Sequence, residues 1–128
     1  MTPAMIDVDA ARGLYQEGDT AHGFDHVLRV LALAVRIAQA EGADLAVVRT
    51  AALLHDVGRA EEGRTDESHA AVGARMARRI LAGHPPARIE AVAQAIAEHR
   101  FRGGPQPSTL EARVLYAADK LDASGAIG

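Results

Sequence analysis

The chain has 128 residues, a formal net charge of -3, no cysteine, and 48% apolar residues against only 3% aromatic ones. This length suits one domain that buries a core without disulfide support, and the acidic balance argues against a protein that coats nucleic acid or anionic membrane. The absence of cysteine excludes disulfides, thiolate metal sites and cysteine nucleophiles.

With so few aromatics the core must be aliphatic, and the abundance of Ala, the best helix former, predicts an all-α fold. Residues 1–10 carry Asp7 and Asp9 and no long apolar run, unlike a signal peptide or a transmembrane span, so a cytoplasmic protein is expected. A short helix is predicted over Val8–Gln16, with Gly18 and Gly23 bracketing a turn. A long helix follows over Phe24–Glu41, where Val27, Leu28, Val30, Leu31, Ala34, Val35 and Ala38 recur at helical spacing and Gly42 ends the run. Asp44 can cap the next helix, which carries Leu45, Val48, Ala51, Ala52 and Leu54 to about Val57 before Gly58. Residues 60–66 read as a polar loop. A helix over Glu67–Leu81 comes next, broken by Gly83-His84-Pro85-Pro86. Pro86 suits the first turn of a helix reaching His99, with Ile89, Val92, Ala93 and Ile96 facing inward. After the Gly103–Pro107 loop, Ser108 or Thr109 can cap a last helix bearing Leu110, Val114, Leu115, Ala118 and Leu121. No repeat, linker or second domain is visible in this pattern.

Six histidines are the compositional oddity. His55 and Asp56 end an apolar helix, where an imidazole and a carboxylate offer a borderline and a hard ligand for a divalent cation. Taken alone, the pair is better explained by a buried, satisfied His beside an Asp that caps or forms a salt bridge. His26 begins the preceding long helix, and antiparallel packing of the two helices would bring it beside His55 and Asp56. Asp119 lies in the apolar stretch Val114-Leu-Tyr-Ala-Ala-Asp-Lys-Leu121, where an ionised carboxylate needs a partner.

In order and context, His26, His55-Asp56 and Asp119 resemble the H…HD…D signature of the HD superfamily of metal-dependent phosphohydrolases. The resemblance spans nearly the whole chain and is carried by Gly23-Phe-Asp-His-Val-Leu-Arg-Val30, Ala52-Leu-Leu-His-Asp-Val-Gly-Arg59 and Ala118-Asp-Lys-Leu-Asp-Ala-Ser-Gly-Ala-Ile-Gly128. The last string is most similar to small bacterial HD hydrolases, some of which act as nucleotide pyrophosphohydrolases. The resemblance implies a single helical bundle over residues 1–128 of about five to six helices, with His26, His55, Asp56 and Asp119 as metal ligands. Relatives continue with further helices that wall the pocket, whereas this sequence stops nine residues after Asp119. An apolar face left open there would favour a homo-oligomer.

His69 and His99 extend the set. In binuclear HD proteins, including the HD-GYP phosphodiesterases, histidines in these contexts bind a second metal, the first followed four residues on by a Gly, as Gly73 follows His69. The second often belongs to a His-His pair, where this chain has Arg100, and Gly103-Gly-Pro105 lacks the Tyr of the GYP motif. The set H…HD…H…H…D is thus compatible with one or two ions; His69 and His99 could instead touch substrate or support other ligands. His22 suits a substrate or supporting role, His84 an exposed loop, and Asp122 either orients a ligand or pairs with a cation.

Arg59 matches the Lys or Arg that follows HD-hydrophobic-Gly in relatives, which implies phosphate binding, and Lys120 is a second phosphate candidate. Arg100 is a weaker substrate contact, as are Arg29, Arg64 and Arg102, whose ordinary reading is solvated surface. The expected mechanism uses metal-activated water on a phosphomonoester, phosphodiester or nucleotide pyrophosphate bond, with Asp56 bridging two ions or orienting the water. Arg59 or Lys120 would offset phosphate charge. Mixed His and carboxylate ligands suit manganese, iron, cobalt or nickel better than calcium. The expected partner is a small phosphorylated or nucleotide substrate, not a nucleic-acid duplex or a membrane. Two alternatives are a mixed-valent di-iron oxygenase, which some relatives with this set are, and a non-catalytic nucleotide-sensing module.

Overall fold

The computed structural model describes residues 4–15, 23–61, 68–100 and 106–124. Its helices are α1 (Val8–Arg12), α2 (Phe24–Glu41), α3 (Leu45–Leu54), α4 (His69–Ile80), α5 (Pro86–Glu98) and α6 (Leu110–Ser124), with a 3₁₀ turn at Val57–Glu61 between α3 and α4. Among the described residues there is no strand, as the aliphatic, alanine-rich composition predicts.

Most boundaries follow the local chemistry. Asp7, Asp44 and Ser68 accept hydrogen bonds from the amides of Ala10, Val47 and Ala71 and so start α1, α3 and α4. Thr109 rather than Ser108 caps α6, its Oγ1 accepting from the Ala112 amide at 3.0 Å, while Ser108 is bound by Glu98 across the α5–α6 junction. Pro86 opens α5 where its missing N–H costs nothing. Gly42 ends α2 at φ 75, a left-handed conformation that favours glycine.

Three boundaries differ from the sequence reading. α1 stops at Arg12 instead of Gln16, with Gly13 as its C-cap. α4 begins at His69 instead of Glu67 because Ser68 is its cap. α3 stops at Leu54, short of Val57, and the residues read as the start of a loop continue the 3₁₀ turn. The reason lies at His55, whose Nδ1 lies 2.7 Å from the Ala52 carbonyl. That carbonyl would otherwise accept the Asp56 amide, so the side chain competes with the helix and ends it.

α2 packs on α3 and α6, α4 on α5 and on the 3₁₀ turn, and α5 bridges α3 and α6. The core between them is aliphatic, built from residues such as Val30, Val48, Leu54, Leu81, Ile96 and Leu115. A smaller cluster of Ala11, Val27 and Leu53, flanked by Tyr15 and Phe24, holds α1 and the segment after it against α2 and α3. No helix among the described residues is long and apolar enough to cross a membrane.

Candidate metal centre

α2 and α4 begin, and α3 and α5 end, at the same end of the bundle. This places His26 in the first turn of α2, His55 at the C-cap of α3, His69 at the first position of α4 and His99 at the C-cap of α5. Asp56 follows His55, and Asp119 reaches the cluster from α6. The antiparallel α2–α3 pairing expected from the sequence is present, with His26 Nε2 and His55 Nε2 3.4 Å apart.

Asp56 stands at the centre. Its Oδ2 lies 3.4 Å from His26 Nε2 and 3.6 Å from His55 Nε2. Its Oδ1 lies 3.6 Å from His69 Nε2 and 3.8 Å from His99 Nε2. Asp119 joins the first group, its Oδ1 being 3.2 Å from His26 Nε2 and 3.6 Å from His55 Nε2. One carboxylate therefore faces two donor groups, His26-His55-Asp119 through one oxygen and His69-His99 through the other.

The donors fit a divalent ion. Ligands about 2.1 Å from one ion stand about 3.0 Å apart at a right angle and about 3.4 Å apart at a tetrahedral one. The separations of 3.2–3.6 Å in the first group bracket the tetrahedral figure. Asp56 Oδ2 and His99 Nε2 are also buried without a partner of hydrogen-bond geometry. A buried polar atom left so is costly unless something else satisfies it.

The histidines are oriented so that Nε2 points inward. His55 Nδ1 lies 2.7 Å from the Ala52 carbonyl and His99 Nδ1 2.6 Å from the Ile96 carbonyl. Each can thus donate its Nδ1 proton to a carbonyl in the last turn of its own helix. His26 Nδ1 lies instead 2.7 Å from Asp122 Oδ2. The charges reinforce one another. Against burial, which favours the neutral acid, the nearby His99 imidazole and the charges of His55 and Arg59 hold Asp56 well below the usual carboxylate range. Burial likewise opposes ionisation of Asp119, and His26 and His55 overcome it. The Asp119 hydrogen bond raises His26 above the ordinary imidazole value, and Asp119 and Asp56 raise His55 despite complete burial.

The missing Cβ of Gly58 lets α4 come close enough to contribute His69. A Cβ on Gly58 would meet the His69 carbonyl oxygen and would lie 2.6 Å from the Gly73 amide nitrogen. The 3₁₀ turn thus packs directly on the α4 backbone. Gly73, singled out in the sequence by its distance from His69, is the other half of that contact.

These residues, from Gly23 to the end of α6, coincide with a match to the HD domain over residues 23–124. The chain belongs to the HD-domain family. Among solved structures this HD domain is similar to a predicted HD superfamily hydrolase from an uncultured Thermotogales bacterium, with a TM-score of 0.79, 35% identity, and coverage of 91% of this chain and 66% of that one. It is also similar to a Lactobacillus plantarum protein, with a TM-score of 0.69, 31% identity, and coverage of 91% and 54%. Among curated proteins, ribonuclease Y of Chloroflexus aurantiacus is 39% identical over 96 residues, 75% of this chain and 17% of that protein. The uncharacterized protein YpgQ of Bacillus subtilis is 30% identical over 121 residues, 91% of this chain and 58% of that one. The HD domain described above thus spans about a sixth of ribonuclease Y and somewhat over half of YpgQ.

The remaining candidates fall in different places. Arg59 Nε is 3.3 Å from Asp56 Oδ2, with the side chain a quarter exposed at the rim of the cluster. Lys120 is exposed and its ammonium lies 5.7 Å from the centre of the Tyr116 ring. Among the described residues no ion pair joins Lys120 to Asp56 or Asp119. Arg100 is half-buried in the turn after His99, and His84 is exposed, as expected of it. His22, Arg64 and Arg102 lie outside the described residues. Asp122 does both things considered for it, holding His26 and pairing with Arg29 at 2.8 Å.

Tyr15 went unnoticed in the sequence. Its hydroxyl donates to the Leu53 carbonyl at 2.7 Å, tying the segment after α1 to the turn that presents His55 and Asp56. Burial and the Asp56 charge push its pKa above the ordinary phenol value. The signal available was composition, because a chain with two Tyr and two Phe spends each aromatic sparingly.

Proposed function

We propose that this HD domain is a divalent-metal-dependent phosphohydrolase acting on a small phosphorylated or nucleotide substrate, with an ordered site for two ions. The observation that carries the reading is the Asp56 carboxylate, one oxygen facing His26 and His55 and the other facing His69 and His99. His26, His55, Asp56 and Asp119 would hold one ion, and Asp56, His69 and His99 a second. A divalent ion there supplies Lewis acidity, acting on water and on a phosphoryl oxygen. Imidazole-rich donors favour manganese, iron, cobalt or nickel over calcium.

The protein's own groups divide the remaining work. Asp56 and Asp119 stay ionised and serve as ligands rather than proton donors. The first group has two carboxylates and two imidazoles, whereas the second shares Asp56 and adds only His69 and His99. The second group thus leaves more positions open to water and substrate oxygens. Arg59, at the rim and part-exposed, can turn its guanidinium to a phosphate without leaving Asp56. The name of the ribonuclease Y relatives adds an RNA phosphodiester to the substrates worth assaying.

The test is metal analysis of wild type beside Asp56→Ala, together with phosphate-release assays. The assays would use p-nitrophenyl phosphate, its bis ester, nucleoside triphosphates and a short labelled RNA, each with manganese, iron, cobalt or nickel. The expected result is metal in the wild type, loss in Asp56→Ala, and cation-dependent hydrolysis of at least one substrate. Wild type without bound metal would overturn the proposal. Bound iron with oxygen uptake and no hydrolysis would transfer the site to the di-iron oxygenases. Tight nucleotide binding without turnover would make it a sensor.

A further inference from the structure

We propose that Asp122 and Arg29 form a positioning pair that fixes His26 as a metal ligand through Nε2, an inference that rests on the metal-centre reading above. His55 and His99 are oriented within their own helices, each by the carbonyl three residues earlier. His26 has no such device. It lies in the first turn of α2, and the partner for its Nδ1 comes from another helix, α6.

Asp122 supplies it, with Oδ2 2.7 Å from His26 Nδ1 and a side chain that is only 6% exposed. Asp122 lies one turn beyond Asp119 on α6, and Arg29 one turn beyond His26 on α2, so the pair spans the α2–α6 seam in step with the ligands. A carboxylate offers no proton, so Nδ1 must carry it. Once a metal ion displaces the proton on Nε2, the lone pair there points toward Asp56 and Asp119, 3.4 and 3.2 Å away. Arg29 Nε takes the other oxygen of Asp122 at 2.8 Å. That bond holds Asp122 as a support and keeps it from turning inward as a competing ligand. Without the pair, the imidazole can flip and present the wrong nitrogen.

The test is calorimetric titration with Mn²⁺ of wild type, Asp122→Ala, Asp122→Asn and Arg29→Met, with proton–nitrogen NMR of the zinc-loaded wild type. Asp122→Ala should weaken the tightest Mn²⁺ step by about 10–100-fold, the usual effect of removing a ligand's outer partner. Asp122→Asn should lose less, because its amide oxygen still accepts the Nδ1 proton, and Arg29→Met, at a half-exposed position, should lose least while remaining measurable. In zinc-loaded wild type the His26 proton should sit on Nδ1. Equal Mn²⁺ affinity in all four proteins, or a proton on Nε2, would remove the pairing while leaving the metal centre standing. Failure of wild type itself to bind Mn²⁺ would remove both. If Asp122→Ala does not fold, Asp122→Asn and Arg29→Met decide.

Discussion

Replacing Gly58 by Ala probes how the 3₁₀ turn and α4 are joined. The backbone of Gly58 is not in the left-handed region, so the added methyl is not a conformational problem. It is steric. The methyl would strike the His69 carbonyl oxygen and lie 2.6 Å from Gly73 N and 3.1 Å from Gly73 Cα, all of them backbone atoms that cannot rotate away. Relief requires the turn and α4 to separate by roughly 1 Å, and overpacking of this kind costs about 1–3 kcal/mol. For a domain of this size that lowers Tm by roughly 4–15 °C. Because α4 carries His69, the separation also withdraws its Nε2 from Asp56 Oδ1, now 3.6 Å away. The group of His69 and His99 should therefore lose metal affinity while that of His26, His55 and Asp119 keeps it. Gly73→Ala is the internal comparison. There the nearest atom is the Ile96 Cγ2 methyl at 3.2 Å, a side chain that can give, and Ala gains up to about 1 kcal/mol over Gly inside a helix. Its Tm should stay near wild type. Calorimetric melting of the metal-free variants and metal stoichiometry measure both effects. A Gly58→Ala protein that melts like wild type and binds the same number of ions would refute the reasoning.

Four further outcomes are expected. Metal-free protein should lose Tm as pH rises above about 6.5, because raised imidazoles stabilise the fold below their unfolded pKa and lose that effect through the folded one; His26 and His55 are the groups concerned. The depressed Asp56 and Asp119 act oppositely, and their stabilisation declines as pH falls below about 4. Mn²⁺ binding must displace the histidine protons, so apparent affinity should rise with pH, and calorimetry in buffers of different ionisation enthalpy should register proton release. Asp119→Ala should weaken one metal step and leave the other, whereas Asp56→Ala should abolish both, as read by metal stoichiometry after dialysis. Tyr15→Phe removes the hydroxyl that satisfies the buried Leu53 carbonyl and should cost about 1–3 kcal/mol in urea unfolding.

The parts of this protein legible in its sequence are those with local causes. The apolar period of Phe24–Glu41, the cap at Asp44 and the stop at Gly42 each act within a few residues, and the helices appear where they place them. The candidate donors were legible too, because His26, His55, Asp56, His69, His99 and Asp119 sit in recognisable strings. Where the reading missed, a local cap went unread, as at Gly13 and Ser68, or a competing side chain intervened. The end of α3 moved because the His55 ring takes the carbonyl that would have continued the helix.

Tertiary structure alone decided which Asp56 oxygen faces which histidines, and that Lys120 lies against Tyr116 while Arg59 stays beside Asp56. It also decided that Gly58 must be small, since its neighbours come from α4. The partner of His26 lies 96 residues away on α6. Residue type and spacing name the donors; the direction of each lone pair depends on what occupies the other side of the ring, and that is set by helix packing.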